Sequence, residues 1–323
     1  MVIKSTAKHL LELSLLLASQ YYQLTSLKIK RLLSVIIINY NTWDLTLKLA
    51  QSILDRNEIS DTEVIIVDNL SDEKMPDSIQ DSECLKIVFS KTNSGFAGGI
   101  NQGAAIAKHP HICVLNSDVS LKDDEPFFGP LLKTLRDGKV ALVSPKIIYT
   151  NDLKIQFAGF TPINPYTGRG FAIGYNEIDR GQYNIARKMP RAHGAAMMFK
   201  KSVWEETNGI AEKYFLYYEE MDFSAKLLKA GYEIWYQPKS TAYHIGSFTM
   251  DNNETPKTFY LNRNRIWYLR NNTSTTHLLI SIPYLFVTGM IRGFLALLNG
   301  RIKKADYIFT GTFKGIFSKW SSY

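Results

Sequence analysis

Four short apolar runs, rich in β-branched residues, recur at residues 32–38, 63–67, 85–89 and 111–115. Their length and lack of alternation predict strands covered on both faces, the habit of parallel strands in an α/β sheet. Residues 140–143 fit a fifth. Between the first two, Leu45, Leu49 and Ile53 recur at helical spacing, and residues 97–107 predict a helix of small residues. Short crossovers of this kind impose right-handed βαβ units and put chemistry at the carboxyl ends of the strands. Asn39, Asp68 and Asp118 each fall just past such an end.

Beyond residue 157 the pattern changes. Pro162, Pro165, Gly168, Gly170, Gly174 and Gly181 scattered among aromatics predict a loop-rich insertion, followed by a small-residue strand at 191–199. From Glu219, Met221, Ala225 and Leu228 form one apolar row of a helix that ends at Gly231, and residues 232–236 predict a strand before Pro238. Residues 260–270 predict a helix rich in Arg and aromatics. Residues 278–298 approach membrane-spanning length, but Pro283, Gly289, Arg292 and Gly293 favour a helix lying in the membrane plane. At the other end, residues 10–18 are apolar around Glu12 and no small-residue cleavage site follows, which predicts a short amphipathic extension rather than a signal peptide.

Charge sharpens this division. The chain of 323 residues carries +8 overall, yet from Lys257 onward ten Lys and Arg face Asp306 alone, leaving −1 for the rest. A basic, aromatic tail on a near-neutral body predicts attachment to anionic lipid at the inner face of the cell membrane. The helix at 260–270 has the composition of a nucleic-acid surface but no accompanying motif, so no nucleic-acid partner is expected. Cys84 and Cys113 have no zinc spacing and are expected reduced in a cytoplasmic protein.

The candidate chemistry sits at the strand ends. Asn39-Tyr-Asn41 stands where a dinucleotide oxidoreductase has its glycine fingerprint; without glycines that class is excluded. Asp68 suits a base or ribose, or equally a turn. Asn93-Ser-Gly-Phe-Ala-Gly-Gly-Ile-Asn101 runs from a strand into a helix, and Asp118 ends the next strand, so a helix N-terminus and a metal-binding carboxylate are expected to face one diphosphate. Glu219, Glu220 and Asp222 open a helix, where acids ordinarily complement the dipole but also offer a general base. His193 and His244 are structural histidines or polar contacts of the site.

Taken in order, Val35-Ile-Ile-Ile-Asn-Tyr-Asn41, Val67-Asp-Asn69, the glycine-rich segment, Leu115-Asn-Ser-Asp118 and Phe215-Leu-Tyr-Tyr-Glu-Glu-Met-Asp222 resemble family 2 inverting glycosyltransferases, most closely the rhamnosyltransferase-like subgroup. The resemblance covers residues 32–272. It implies the GT-A fold, a nucleotide-diphospho-sugar donor, with rhamnose on thymidine diphosphate as the specific expectation, a divalent cation (Mg²⁺ or Mn²⁺), and a glycan or lipid-linked glycan acceptor in cell-surface polysaccharide synthesis. By the same resemblance Asn39, Asn41, Asp68, Asn93, Gly95, Phe96, Ala97, Asn101, Asn116 and Asp118 contact the donor, Asp118 and His244 the metal, and Glu220 is the base with Asp222 as rival. The family position is Asp where this chain has Glu220. That departure keeps alive a nucleotide-sugar-binding protein without turnover, alongside another hexosyl or N-acetylhexosaminyl transferase. The expected organisation is an extension at 1–31, a catalytic domain at 32–256 with halves 32–145 and 146–256, and a membrane-associating tail at 257–323.

Overall fold

The computed structural model describes residues 32–59, 61–77, 79–246 and 256–319, so the amphipathic extension expected at 1–31 lies outside the described residues. The first half alternates strand and helix. It runs β1 (Leu32–Asn39), α1 (Trp43–Leu54), β2 (Asp61–Asp68), β3 (Leu85–Phe89), α2 (Gly95–Ile106), β4 (His111–Asn116), β5 (Val119–Ser120) and α3 (Phe128–Leu135). The second half contains β6 (Val140–Tyr149), β7 (Ile155–Phe157), β8 (Arg187–Lys188), β9 (Ala196–Lys200), α4 (Lys201–Glu206), α5 (Glu219–Lys229) and β10 (Glu233–His244). Three helices follow: α6 (Pro256–Asn272), α7 (Thr275–Leu298) and α8 (Ile302–Phe317).

The strands form one mixed sheet in the order β3-β2-β1-β4-β9-β6-β10-β5, with β7 against β6 and β8 against β10. The strands β3, β2, β1 and β4 are parallel neighbours, as their apolar runs predict. The predicted fifth strand is not beside the fourth. The later strand β9 inserts antiparallel between β4 and β6, because its small and sulfur-containing residues Ala196, Met197 and Met198 fit a position covered on both faces. Both β6 and β10 outrun the predicted segments. In β10 a register shift between Gln237 and Thr241 accommodates Pro238, and the strand continues to His244.

Fully buried Val35, Ile36, Ile37, Val64, Ile65, Ile66, Val114 and Leu115 form the sheet's core. The side of α2 facing the sheet is glycine because Cβ atoms at Gly99 and Gly103 would meet Ile38 and Ile36. Helix α7 is continuous through Pro283, and its two glycines act as a packing seam rather than as breaks. Gly289 receives Thr312 and Gly293 receives Phe309 from α8.

Candidate active site

Asp118 and His244 meet because of strand register. Antiparallel pairing of β5 with β10 sets His244 opposite Val119, and Ile245 N–H donates to the Asp118 carbonyl at 3.1 Å. The imidazole is oriented from behind: Nδ1 lies 2.7 Å from Gln156 Oε1, and Gln156 is itself bonded to Tyr149. With its hydrogen on Nδ1, His244 turns the Nε2 lone pair toward Asp118 Oδ1, 3.0 Å away. Nε2 is buried and makes no hydrogen bond. With the hydrogen on Nδ1, the buried Nε2 lone pair and the Asp118 oxygen are close enough to share one divalent cation, so this pair fits a metal. Among the described residues no third His, Cys, Asp or Glu joins it. The remaining ligands of such an ion would be phosphate oxygens and water.

A cavity of about 690 Å³ opens beside this pair, and Asn116, Asp118 and His244 line it together with Phe96, Glu219 and Glu220. Asn116 is placed by its N–H bond to the Ala195 carbonyl, which continues the β4–β9 ladder into the turn at 193–195. Gly194 in that turn lies beside the Phe96 ring and the Glu220 side chain.

The segment that delivers Glu219 and Glu220 is strained. Phe215, Tyr217 and Tyr218 all have positive φ, at 65°, 67° and 78°, a cost that persists only where surroundings fix it. Two contacts do so. Asn264 of α6, fully buried, donates to the carbonyls of Tyr214, Leu216 and Tyr217. On the opposite flank Phe96 N–H donates to the Phe215 carbonyl at 2.8 Å. Gly95, at φ +71°, permits this approach, since a Cβ there would stand 2.0 Å from the Phe215 oxygen. The glycine motif and the acidic motif are therefore one device. Helix α6, at the start of the expected tail, is part of the wall that holds it.

Glu219 and Glu220 sit in different electrostatic surroundings. Burial and the neighbouring Glu220 push the Glu219 carboxyl well above the usual range, and its Oε2 has no partner. Burial also raises Glu220, but the Arg191 guanidinium, 3.7 Å away, opposes that rise and favours a carboxylate. Arg191 in turn lies over the Phe160 ring at 3.5 Å. His193 is held neutral: burial, with the nearby Arg191 charge adding to it, pushes it down to about 3, its Nδ1 accepts from Ala195 N–H, and it stacks on Phe160.

Of the sequence candidates, Asn93, Gly95, Phe96, Asn116, Asp118, Glu220 and His244 line the cavity. The others lie behind it. Asn39 is fully buried, donating to Asp68 and Ser71 and accepting from Thr42 and Thr46. Asp68 accepts from Asn39 and from both the backbone and hydroxyl of Ser71. Asn41 caps the turn at Asp72 and Glu73. Ala97 is buried in the core, and Asn101 points away to bind Ile210, Glu212 and Trp204. Asp222, buried, accepts from Tyr214, Asn271 and Asn272 and does not line the cavity. The N–H groups leading into α2 are also spoken for, by Asn69, Asn93 and Phe215. Through the Phe96 N–H the start of α2 also holds the 215–220 segment, while Asn93, Gly95 and Phe96 line the cavity.

Sequence reasoning missed Arg191, Gln156, Phe160 and Asn264 as parts of the site. Only Arg191 carried a signal, as the charge that opens the small-residue strand. Gln156, Phe160 and Asn264 converge from β7, the insertion and α6 through tertiary packing.

Comparison with known proteins bears on family and fold. The family model for glycosyl transferase family 2 matches residues 34–207. The low-salt glycan biosynthesis hexosyltransferase Agl10 of Haloferax volcanii is 24% identical over 282 residues, covering 85% of this chain and 87% of that protein. Among solved structures, the mannosyltransferase PcManGT from Pyrobaculum calidifontis, in complex with GDP-Man and Mn²⁺, superposes with a TM-score of 0.54 at 14% identity, covering 89% and 88% of the two chains. GalNAc-T7 with UDP, GalNAc and Mn²⁺ gives 0.55 at 13% identity over 72% of this chain. The match spans about half the length of GalNAc-T7, 47%. The shared architecture is the GT-A fold.

Proposed function

Because the chain belongs to glycosyl transferase family 2, we propose that it is an inverting hexosyltransferase that moves a sugar from a nucleoside diphosphate to an acceptor hydroxyl in glycan synthesis. The observation that carries this reading is a single cavity lined by both the Asp118–His244 pair and the Glu220 carboxylate. Glu220 takes the hydrogen of the acceptor hydroxyl. The acceptor oxygen forms its bond to the anomeric carbon as the bond from that carbon to the diphosphate breaks, with inversion. Asp118 and His244 would hold a divalent cation, which supplies neutralisation of charge on the departing diphosphate. Of the two glutamates, Glu220 is the one beside a guanidinium, and Arg191 opposes the burial-driven rise of its carboxyl.

The hexosyl class is supported by the hexosyl and mannosyl relatives. Rhamnose from thymidine diphosphate is the first donor to test, on the motif resemblance alone. The basic tail and the apolar outer face of α7, where Leu279, Ile280, Ile291 and Phe294 are exposed, support peripheral attachment at the inner face of the cell membrane.

The test is release of nucleoside diphosphate from a panel of nucleotide hexoses by the full chain, with and without Mn²⁺ or Mg²⁺. Glu220→Gln keeps the shape of the side chain but takes no proton, and transfer is expected to fall at least about a hundredfold with donor affinity retained. Asp118→Asn should remove the metal dependence. Absence of turnover with every donor leaves a binding protein, and a Glu220→Gln enzyme within about threefold of the parent removes the base assignment.

A further inference from the structure

A second cavity, of about 530 Å³, lies against the same strained segment. Tyr218 lines it, whereas the flanking Tyr217 and Glu219 line the first. Its polar wall is strongly basic: Arg169, Arg265, Arg292, Arg301 and Lys304 contribute, and no Asp or Glu lines it among the described residues.

Arg265 is the informative member. Its residue is 7% exposed, its Nε is buried without a hydrogen bond, and it makes no ion pair among the described residues. Arg169 and Arg292 both act against its charge. An arginine buried without an anion beside two others is costly unless something negative joins it. The surrounding contacts hold this arrangement in place. Gly168, at φ +64°, rests on the Arg265 stem, where a Cβ would meet Cγ at 2.8 Å, and Tyr218 donates its hydroxyl hydrogen to the Gly168 carbonyl, fixing the turn that presents Arg169. Arg292 is aimed by bonds from Nη2 to Asn262 and from Nε to the Thr288 carbonyl.

The cavity is apolar at its other edge. Leu261 and Leu295 line it and are also exposed, continuing into the outward stripe of Ile291, Phe294 and Leu298 on α7. Positive charge at one end and an exposed apolar stripe at the other match an amphiphile with an anionic head.

We propose that this cavity binds the phosphate or diphosphate headgroup of a lipid-linked acceptor, with the hydrocarbon lying along α7 and the attached sugar reaching past Tyr218 to Glu220. This rests on the glycosyltransferase reading for the identity of the bound sugar, but not for the binding itself. It assigns Arg169, Arg265 and Arg292 to acceptor recognition, separate from the donor cavity.

The experiment is calorimetric titration of the full-length protein in detergent with two probes, farnesyl diphosphate and inorganic pyrophosphate. Farnesyl diphosphate should bind at least about tenfold tighter than pyrophosphate, because only the former uses the apolar stripe. Arg169→Gln, at an exposed position, and Arg292→Gln should each weaken it about tenfold. Melting temperature serves as the folding control. With a lipid-linked sugar acceptor, Arg169→Gln should raise the acceptor KM far more than it lowers kcat. Equal affinity for the two probes, both weakened by the variants, would make this a free-phosphate site and overturn the lipid claim. Unchanged farnesyl diphosphate binding in both variants would overturn the site itself. Loss of all sugar transfer with intact farnesyl diphosphate binding would instead strike the activity reading and leave this one standing.

Discussion

Gly95→Ala tests whether the glycine-rich motif serves the donor or the acidic segment. The substitution puts a Cβ 2.0 Å from the Phe215 carbonyl oxygen, a backbone atom that no rotamer change can remove, at a residue with φ +71°. An L-residue in the left-handed region costs roughly 1–2 kcal/mol. Displacing Phe215 also breaks the Phe96 N–H bond to its carbonyl, worth about 1 kcal/mol net. Together the expected destabilisation is about 2–3 kcal/mol, seen in a chain of this length as a fall of roughly 3–5 °C in melting temperature. Function should suffer more than stability. The segment that must move carries Glu220 five residues on, and a misplacement of about 1 Å in a catalytic group can cost about a hundredfold in rate. Thermal melts and steady-state kinetics on the same preparations measure both, with Gly138→Ala as control, because a Cβ there meets nothing within 4 Å. An unchanged melting temperature with a raised donor KM and intact kcat would refute the argument and return Gly95 to the donor.

Two further outcomes follow from the site. Asp222→Ala should destabilise the fold by about 2–4 kcal/mol, because Tyr214, Asn271 and Asn272 lose a shared buried acceptor; a stable variant with abolished turnover would instead make Asp222 the base. Arg191→Gln removes the charge that opposes the burial-driven rise of Glu220. Glu220 works as a carboxylate, so activity is present above its pKa and lost as pH falls through it. The acid limb of the kcat/KM profile should therefore move to higher pH, and an unmoved limb would show that Arg191 does not tune the base.

The parallel half of the sheet was legible because β1 to β4 are contiguous apolar runs whose burial on both faces follows from composition. The Asp118–His244 pairing was legible in part. Asp118 ends a strand and His244 follows another segment, but only the pairing of β5 with β10 sets them 3.0 Å apart, and no local pattern encodes a ladder between residues more than a hundred positions apart.

Local sequence determined which residue types were available for chemistry: two adjacent glutamates at a helix start, a strand-end aspartate, and glycines where the backbone must turn. Tertiary structure decided which of them reach the cavity. Asn39 and Asp68 at strand ends and Asn101 within α2 are the same residue types, yet they spend their hydrogen bonds inside the protein. Asp222 lies two residues from Glu220, but helical rotation and the amides of Asn271 and Asn272 turn it into a structural acceptor. The physical reason is common to all of these. Burial, a partner's charge and unsatisfied hydrogen-bonding capacity decide whether a polar group is structural or reactive, and those are set by segments that meet only in the folded chain.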